Sequence, residues 1–270
     1  MNSSIPGPKV LIRGAGEMAS GIAYQVHLNN YRVCLTEIPN PLTVSRANSF
    51  SDAVFDGTKT VCGVTAEKVS ANLRNIEGTW EKGYIPLVID ADAEVKKLLH
   101  PDILIDAIMA KKPTGTSIND APLVIGIGPG LHAGRDVHIV VETNDSNGNA
   151  GKLIYDGEAE NNTGTPVEVG GFKTERVIWA PGDGVFTTGI QIGHSVKTGE
   201  IVGLVNDIPL RAQINGKLRG FIRNGTIVTT GVKLIEIDPI FDENVFGLIR
   251  SKIWTVSGAV VEAIKHNFRE

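Results

Sequence analysis

The sequence has few cysteines, little excess charge and no long apolar run, and each of these absences excludes a class of protein. Two cysteines in 270 residues, Cys34 and Cys62, cannot build a disulfide framework or a four-cysteine zinc site. A formal net charge of −4 gives no electrostatic reason to bind nucleic acid or an anionic membrane. No apolar run approaches the roughly 20 residues that span a bilayer. We therefore expect a cytoplasmic protein whose partners are small molecules or proteins, including a homo-oligomer.

The first part of the chain alternates strand and helix patterns. Residues 10–12 form a short apolar run that predicts a buried strand, and apolar residues at helical spacing follow it. Further strands are predicted over 31–35, 85–90 and 102–109. Strands that alternate with helices are typical of a parallel sheet. We therefore predict a Rossmann-like domain with a parallel sheet over 1–110.

The rest of the chain is dominated by short strands between glycines. We predict a β-rich segment with glycine loops over 111–176. Over 177–240 an internal duplication is visible, because GVFTTGIQIGHSVKTGEIVGLV is matched 32 residues later by GKLRGFIRNGTIVTTGVKLIEI. The repeat resembles the barrel-sandwich hybrid of biotinyl and lipoyl carrier domains. The joint between its halves lacks the lysine of such carriers, so we expect no covalent biotin or lipoate. Helical spacing returns over 241–270 and predicts a terminal helix.

A glycine turn after the first strand gives the clearest functional indication. Gly14, Gly16 and Ala19 follow the strand and open a helix with the spacing of a dinucleotide-binding turn. Glu37 ends the second strand, where an acidic side chain can accept hydrogen bonds from ribose hydroxyls. Free N–H groups and the helix dipole favour an anion at the helix start. The pattern indicates a nucleotide phosphate site.

Glu17 argues against this interpretation, because its carboxylate directly follows the second glycine and competes with a phosphate for the helix start. A phosphate cradle and a turn that only packs helix against strand therefore both stay open. The glycine-rich and lysine-rich middle segment adds further groups that could hold an oxyanion. The candidate cofactor-binding residues are Gly14, Gly16, Glu17, Ala19, Ser20, Glu37, Lys111, Thr114, Gly128 and Gly130.

The same turn allows two other functions. One is an NAD-dependent oxidoreductase of unknown substrate, with His138 or Lys111 as proton donor. The other is a structural or docking protein without catalysis. His138 and Glu142 share a predicted strand but supply no third ligand, so no metal site is predicted. No Ser-His-Asp or Cys-His order stands out, and no catalytic residue is assigned.

Several segments together resemble a known family over nearly the whole chain. They are RGAGEMASGIAY, TEIPNPLTVSR, FSDAVFDG, DAIMAKKPTGTSINDAPLVIGIGPGLHAGRDVHIVVET, NTGTP and LRGFIRNGTIVTTGVKLIEIDP. They resemble the YqeB-type family of accessory proteins of the selenium-dependent molybdenum hydroxylase system. The resemblance implies a maturation factor whose partner is a molybdenum hydroxylase client enzyme. The N-terminal region is also similar to the nucleotide-binding half of XdhC-like maturation factors. With the glycine turn, this makes NAD, ATP or a molybdopterin nucleotide the expected ligand.

Overall fold

The computed structural model describes residues 7–110, 112–146, 148–162, 164–240, 242 and 248–267. Its contacts divide the chain into two compact units. The first unit is formed by residues within 1–39, 48–162 and 249–270, and the second by residues within 40–47 and 163–248. Lys111, a candidate site residue, and Val245, part of the predicted terminal helix, lie outside the described residues.

The described part of the chain contains five α-helices, all in the first unit. They are α1 (Glu17–Leu28), α2 (Ala53–Asp56), α3 (Leu73–Glu81), α4 (Lys96–Leu99) and α5 (Ser251–Asn267). None of these described helices has the length and apolar character needed to cross a membrane.

Nine strands of the first unit form one mixed sheet, in the order β10-β9-β7-β6-β1-β2-β5-β4-β3. Neighbours from β4 to β9 are parallel, whereas β3 and β10 lie antiparallel at the two edges. β8 and β11 form a separate antiparallel pair. The strands are β1 (Lys9–Arg13), β2 (Arg32–Glu37), β3 (Thr58–Val61), β4 (Val64–Val69), β5 (Ile85–Ile89), β6 (Ile103–Asp106), β7 (Leu123–Ile127), β8 (His132–Ala133), β9 (Ile139–Val141), β10 (Leu153–Ile154) and β11 (Gly157–Glu158).

Helices cover both faces of the nine-stranded sheet, which explains why its central strands are nearly continuous apolar runs. Ile12 of β1 packs in the core cluster that contains buried residues of α1 and α5. Leu11 points to the opposite face and packs in a cluster with residues of α3 and α4. α5 approaches α1 closely at Gly21, where an added Cβ would lie 2.2 Å from Cγ2 of Ile253.

The second unit contains two four-stranded antiparallel sheets, ordered β12-β19-β17-β14 and β16-β15-β13-β18. The duplication appears in the pairing, because β13 of the first half pairs with β18 of the second, and β17 pairs with β14. The strands are β12 (Val177–Trp179), β13 (Gly184–Thr187), β14 (Ser195–Val196), β15 (Ile201–Val205), β16 (Ile208–Arg211), β17 (Gly216–Phe221), β18 (Ile227–Val228) and β19 (Lys233–Asp238).

The predicted Rossmann-like parallel sheet and the separate β-rich middle segment are wrong. The sheet is mixed, and it takes β7, β9 and β10 from the segment that was expected to stand apart. β3 must run antiparallel to β4, because only Cys62 and Gly63 connect them and both have positive φ, as in a tight hairpin turn. A crossover to a parallel strand needs a much longer connection.

The predicted biotinyl/lipoyl-like barrel-sandwich hybrid is also wrong, whereas the predicted terminal helix is present as α5. The repeat does not complete its own core, because Val44 is buried in the same cluster as Phe186 and Leu218. Gly220 lies so close to this inserted segment that an added Cβ would be 2.2 Å from the carbonyl oxygen of Val44. The terminal helix α5 belongs to the first unit and starts at Ser251.

Candidate functional site

The glycine turn lies at the carboxyl edge of the sheet, next to the point where the strand order changes direction. From β1 the chain passes to β2 and then to the edge strand β3. It comes back through β4 and β5, and it then places β6 on the other side of β1. In open α/β sheets such a point forms a crevice at the carboxyl ends of the strands, where ligands bind. Gly14 has φ +98°, and an added Cβ would lie 3.2 Å from the carbonyl oxygen of Ala107, directly after β6. A side chain at residue 14 would thus fill the space between the loop after β1 and the loop after β6.

The start of α1 has no side-chain cap. Gly16 is the N-cap residue, in an extended conformation with φ −68° and ψ −175°. The first N–H groups of a helix have no partner within the helix. With glycine at the N-cap no side chain caps the helix start, and the helix dipole favours an anion there.

Glu37 holds the glycine turn from the neighbouring strand. Its Oε2 accepts a hydrogen bond from the Ala15 N–H at 2.9 Å, and its Oε1 accepts one from the Ile38 N–H at 2.7 Å. Burial raises the pKa of the Glu37 carboxyl, and the two backbone hydrogen bonds oppose that rise. Glu37 therefore supports the loop directly, and a ribose hydroxyl would have to share this carboxylate with the Ala15 N–H.

Two other candidate residues lie behind the turn. Ala19 is fully buried and packs in the core beneath the helix. The Ser20 hydroxyl donates to the carbonyl oxygen of Ala15 at 3.0 Å and accepts from the Phe50 N–H at 2.8 Å. Ser20 is fully buried, so both of these residues shape the turn from its core side.

A buried polar network lies on the opposite face of the same edge. Arg13 and Asp106 are directly paired residues of β1 and β6, and they are 3% and 4% exposed. Arg13 Nη1 lies 3.4 Å from Asp106 Oδ2, and the same oxygen accepts from the hydroxyls of Thr114 at 3.0 Å and Thr116 at 2.5 Å. Arg13 also donates to the Thr116 hydroxyl and to the carbonyl oxygens of Ala91 and Thr114. Thr114 is thus tied to the carboxyl end of β1.

This network is a feature that sequence analysis missed. Its signal is an acidic residue, Asp106, at the end of an apolar strand, followed by the Thr114-Gly115-Thr116 triplet. Among the described residues, the buried Arg13 Nε has no hydrogen-bond partner. An arginine buried in this way is costly unless it is paired, so the two threonines and Asp106 are required to retain it.

Gly128 and Gly130 lie in the loop after β7. Gly128 has φ +74°, and an added Cβ would come within 2.8 Å of the Thr143 hydroxyl; Gly130 has φ +102°. The Gly128 N–H donates to the carbonyl oxygen of Val141, so it closes the loop at the carboxyl end of the sheet. Both glycines therefore lie at the carboxyl ends of strands, two positions away from β1 in the strand order.

His138 lies at the other edge of the sheet, away from the glycine turn. It precedes β9, and its Nδ1 accepts a hydrogen bond from the Val124 N–H at 2.9 Å. It lines a polar cavity of about 550 Å³ together with the ion pair of Lys96 and Asp120. The structure therefore does not bring His138 to the turn as a proton donor. In the part of the chain that is described, no group of three His, Cys, Asp or Glu could hold a metal ion.

These observations describe an α/β protein with an uncapped glycine turn at the carboxyl edge of a mixed sheet. Over 255 residues the chain is 36% identical to the uncharacterized protein YqeB of Escherichia coli (strain K12), a match that covers 94% of this chain and 47% of the relative. The similarity supports the YqeB family, and the chain spans about half the length of the curated relative that it matches. No family model matches the chain.

Similarity to solved structures is weak. An aspartoacylase family protein from Mesorhizobium loti is 13% identical with a TM-score of 0.27, and 87% of each chain is covered. A succinylglutamatedesuccinylase/aspartoacylase from Rhodobacter sphaeroides is 16% identical with a TM-score of 0.26, again over 87% of each chain. TM-scores of this size assign neither a fold nor an activity.

Proposed function

We propose that the protein binds a nucleotide, or the nucleotide part of a molybdopterin cofactor, at the glycine turn. We further propose that it acts as an accessory factor in the maturation of selenium-dependent molybdenum hydroxylases. NAD and ATP are the other candidate ligands. The client hydroxylase would be the protein partner.

One observation carries the binding proposal. The uncapped start of α1 lies directly after β1, at the change of strand order, and Gly14 leaves the junction with β6 open. A phosphate there would accept hydrogen bonds from first-turn N–H groups and would be stabilised by the helix dipole. The accessory role is supported only by the motifs that resemble the YqeB-type family, and the match to the uncharacterized YqeB supports the family alone.

Titration calorimetry with ATP, NAD, CTP and molybdopterin cytosine dinucleotide tests the binding proposal. We expect at least one of them to bind with a dissociation constant below about 1 mM, the weak limit for a specific site. If none binds below that limit, the turn only packs helix against strand.

Gly14→Ala is the variant that locates the site. An alanine there has a strained positive φ and a Cβ facing Ala107, so binding should fall by at least about tenfold. Gly57→Ala is the matched control, because Gly57 has φ +82° and nothing within 4 Å of an added Cβ. Equal losses in the two variants would mean that backbone strain, and not the turn, determines binding.

The accessory role needs a separate experiment. A molybdenum hydroxylase client is expressed with and without this protein, and its molybdenum content and activity are measured. We expect a lower molybdenum content without the protein. An unchanged content would contradict the accessory role but leave nucleotide binding intact.

A further inference from the structure

A cavity of about 330 Å³ lies at the carboxyl ends of β4 and β5, on the same edge of the sheet as the glycine turn. None of the candidate residues from sequence analysis lines it. It is lined by Lys68, Val69, Ser70, Ala71, Val88 and Ile89.

The cavity lies next to Glu37, because one of its lining residues is on the strand that pairs with β2. Glu37 and Ile89 are directly paired residues of the adjacent strands β2 and β5. By strand alternation, both side chains lie on the face that α1 covers, since Leu35 and Leu87 pack in the same cluster as α1. Asp90 N–H also donates to the carbonyl oxygen of Glu37 at 2.9 Å. The Glu37 carboxylate thus contacts the glycine turn, and Ile89, which lines the cavity, lies beside Glu37 on the neighbouring strand.

Two large apolar side chains are exposed beside this carboxylate. Ile38 is 40% exposed although it follows the buried strand β2, and Ile89 is 42% exposed although it ends the buried strand β5. Single exposed apolar residues are common, but these two flank an acidic residue at the edge where ligands of such sheets bind. An apolar ring in the cavity that packs against Ile89 would remove this side chain from water.

The dimensions fit part of a nucleotide. Ligand sites generally measure about 300 to 1,000 Å³, so this cavity accommodates one ring system and not a whole dinucleotide. Neighbouring strands lie about 4.8 Å apart, so the cavity begins about one strand spacing from β2. A ribose close to Glu37 would bridge that spacing between the ring and the helix start.

We propose that this cavity binds the heterocyclic base of the nucleotide whose phosphate lies at the start of α1. The proposal rests on the proposed function and adds the subsite that recognises the base. The base packs against Ile89. The Lys68 ammonium, which donates to the carbonyl oxygen of Val54 at 2.7 Å, has further N–H groups for ring nitrogens or carbonyl oxygens of the base.

Titration of Ile89→Ser with ADP and with inorganic pyrophosphate tests the proposal. Loss of the apolar contact should weaken ADP binding by about tenfold. The affinity for pyrophosphate, which has no base, should change by less than about twofold. Leu98→Ser is the matched control, because Leu98 is 38% exposed and does not line the cavity. Leu98→Ser should bind both probes like the wild type.

A labelling experiment checks the position of the base without relying on affinity. In a Cys62→Ser background, which removes the exposed thiol, Ile89→Cys is reacted with a maleimide. ADP should slow the reaction, and pyrophosphate at equal saturation should not.

The outcomes separate the two proposals. Wild-type protein that binds neither ADP nor pyrophosphate, nor any of the four ligands titrated above, contradicts the proposed function and the base subsite together. Wild-type protein that binds ADP while Ile89→Ser keeps full ADP affinity contradicts the base subsite alone. An equal loss of ADP and pyrophosphate in Ile89→Ser also contradicts the subsite, because the change would then act through the loop.

Discussion

Arg250 Nε lies 3.2 Å from Glu17 Oε1, so a residue from the C-terminal part of the chain neutralises the acidic residue at the start of α1. The approach of the two residues depends on the packing of α5 against α1. Gly21 lets the helices touch, and Tyr24 meets Trp254 edge to face with ring centroids 5.6 Å apart. The negative charge that opposes a phosphate at the helix start is therefore paired in the folded protein.

Arg250→Gln should weaken phosphate binding, because it removes the positive charge that lies beside Glu17 at the helix start. Glu17→Gln should strengthen binding, and the double variant should lie close to Glu17→Gln. Each change should be about twofold to fivefold, the size of a helix-terminus charge effect. Calorimetry with pyrophosphate at low and high salt measures it, and salt should reduce all three differences. A double variant as weak as Arg250→Gln would show that Arg250 contacts the ligand itself.

Asp106→Ala should destabilise the protein strongly, because it leaves the buried Arg13 guanidinium without its carboxylate. Removing one partner of a buried pair costs about 3 to 5 kcal/mol. Urea unfolding at neutral pH measures the change in free energy. Glu94→Ala, which removes an exposed partner of Lys97, is the control and should unfold like the wild type. Replacing both Arg13→Met and Asp106→Leu should cost less than Asp106→Ala alone.

Gly21→Ala should destabilise the protein although alanine is the better helix former. Its Cβ would lie 2.2 Å from Ile253 Cγ2, and overpacking of this kind costs about 1 to 3 kcal/mol. Gly78→Ala in α3 is the matched control, because nothing lies within 4 Å of its added Cβ. That variant should gain about 0.5 to 1 kcal/mol. Thermal unfolding compares them, and Ile253→Ala should relieve part of the Gly21→Ala penalty.

Glu37 should make stability depend on pH. Burial raises the pKa of its carboxyl above the ordinary value of 4.5, so the folded state holds the proton to a higher pH than the unfolded state. Its stabilising contribution is present below the unfolded pKa and is lost as the pH rises through the raised value. Glu37→Gln should lose this part of the slope in urea midpoints measured between pH 4 and 7. Glu81→Gln, on the exposed end of α3, controls for removing a charge; an equal change of slope there would remove the assignment to Glu37.

Several elements could be predicted from local patterns. The apolar run at 10–12 lies in β1, and the runs at 31–35 and 85–90 overlap β2 and β5. Short buried strands of branched residues that are followed by glycines can be predicted without tertiary information. The position of Glu37 at the end of a strand was predicted for the same reason. Whether the candidate residues bind a nucleotide stays a prediction.

Other features depend on contacts between distant parts of the chain. Three contacts of the site join residues that share no local sequence pattern. They are the hydrogen bond from Ala15 to Glu37, the ion pair of Arg13 with Asp106 and the ion pair of Arg250 with Glu17. The same holds for the entry of β7, β9 and β10 into the large sheet, since strand periodicity does not specify which strands pair.

The sequence by itself determined the strand, turn and helix around Gly14, because glycine tolerance of positive φ and the spacing of apolar residues act over a few neighbouring positions. Only the tertiary structure decided what surrounds the turn. Residues 40–47 leave the first unit to fill the core of the second, and α5 returns to the first unit to bring Arg250 to Glu17. Burial of apolar surface drives such arrangements, and it is not directional along the chain, so which distant segments bury each other is settled by packing.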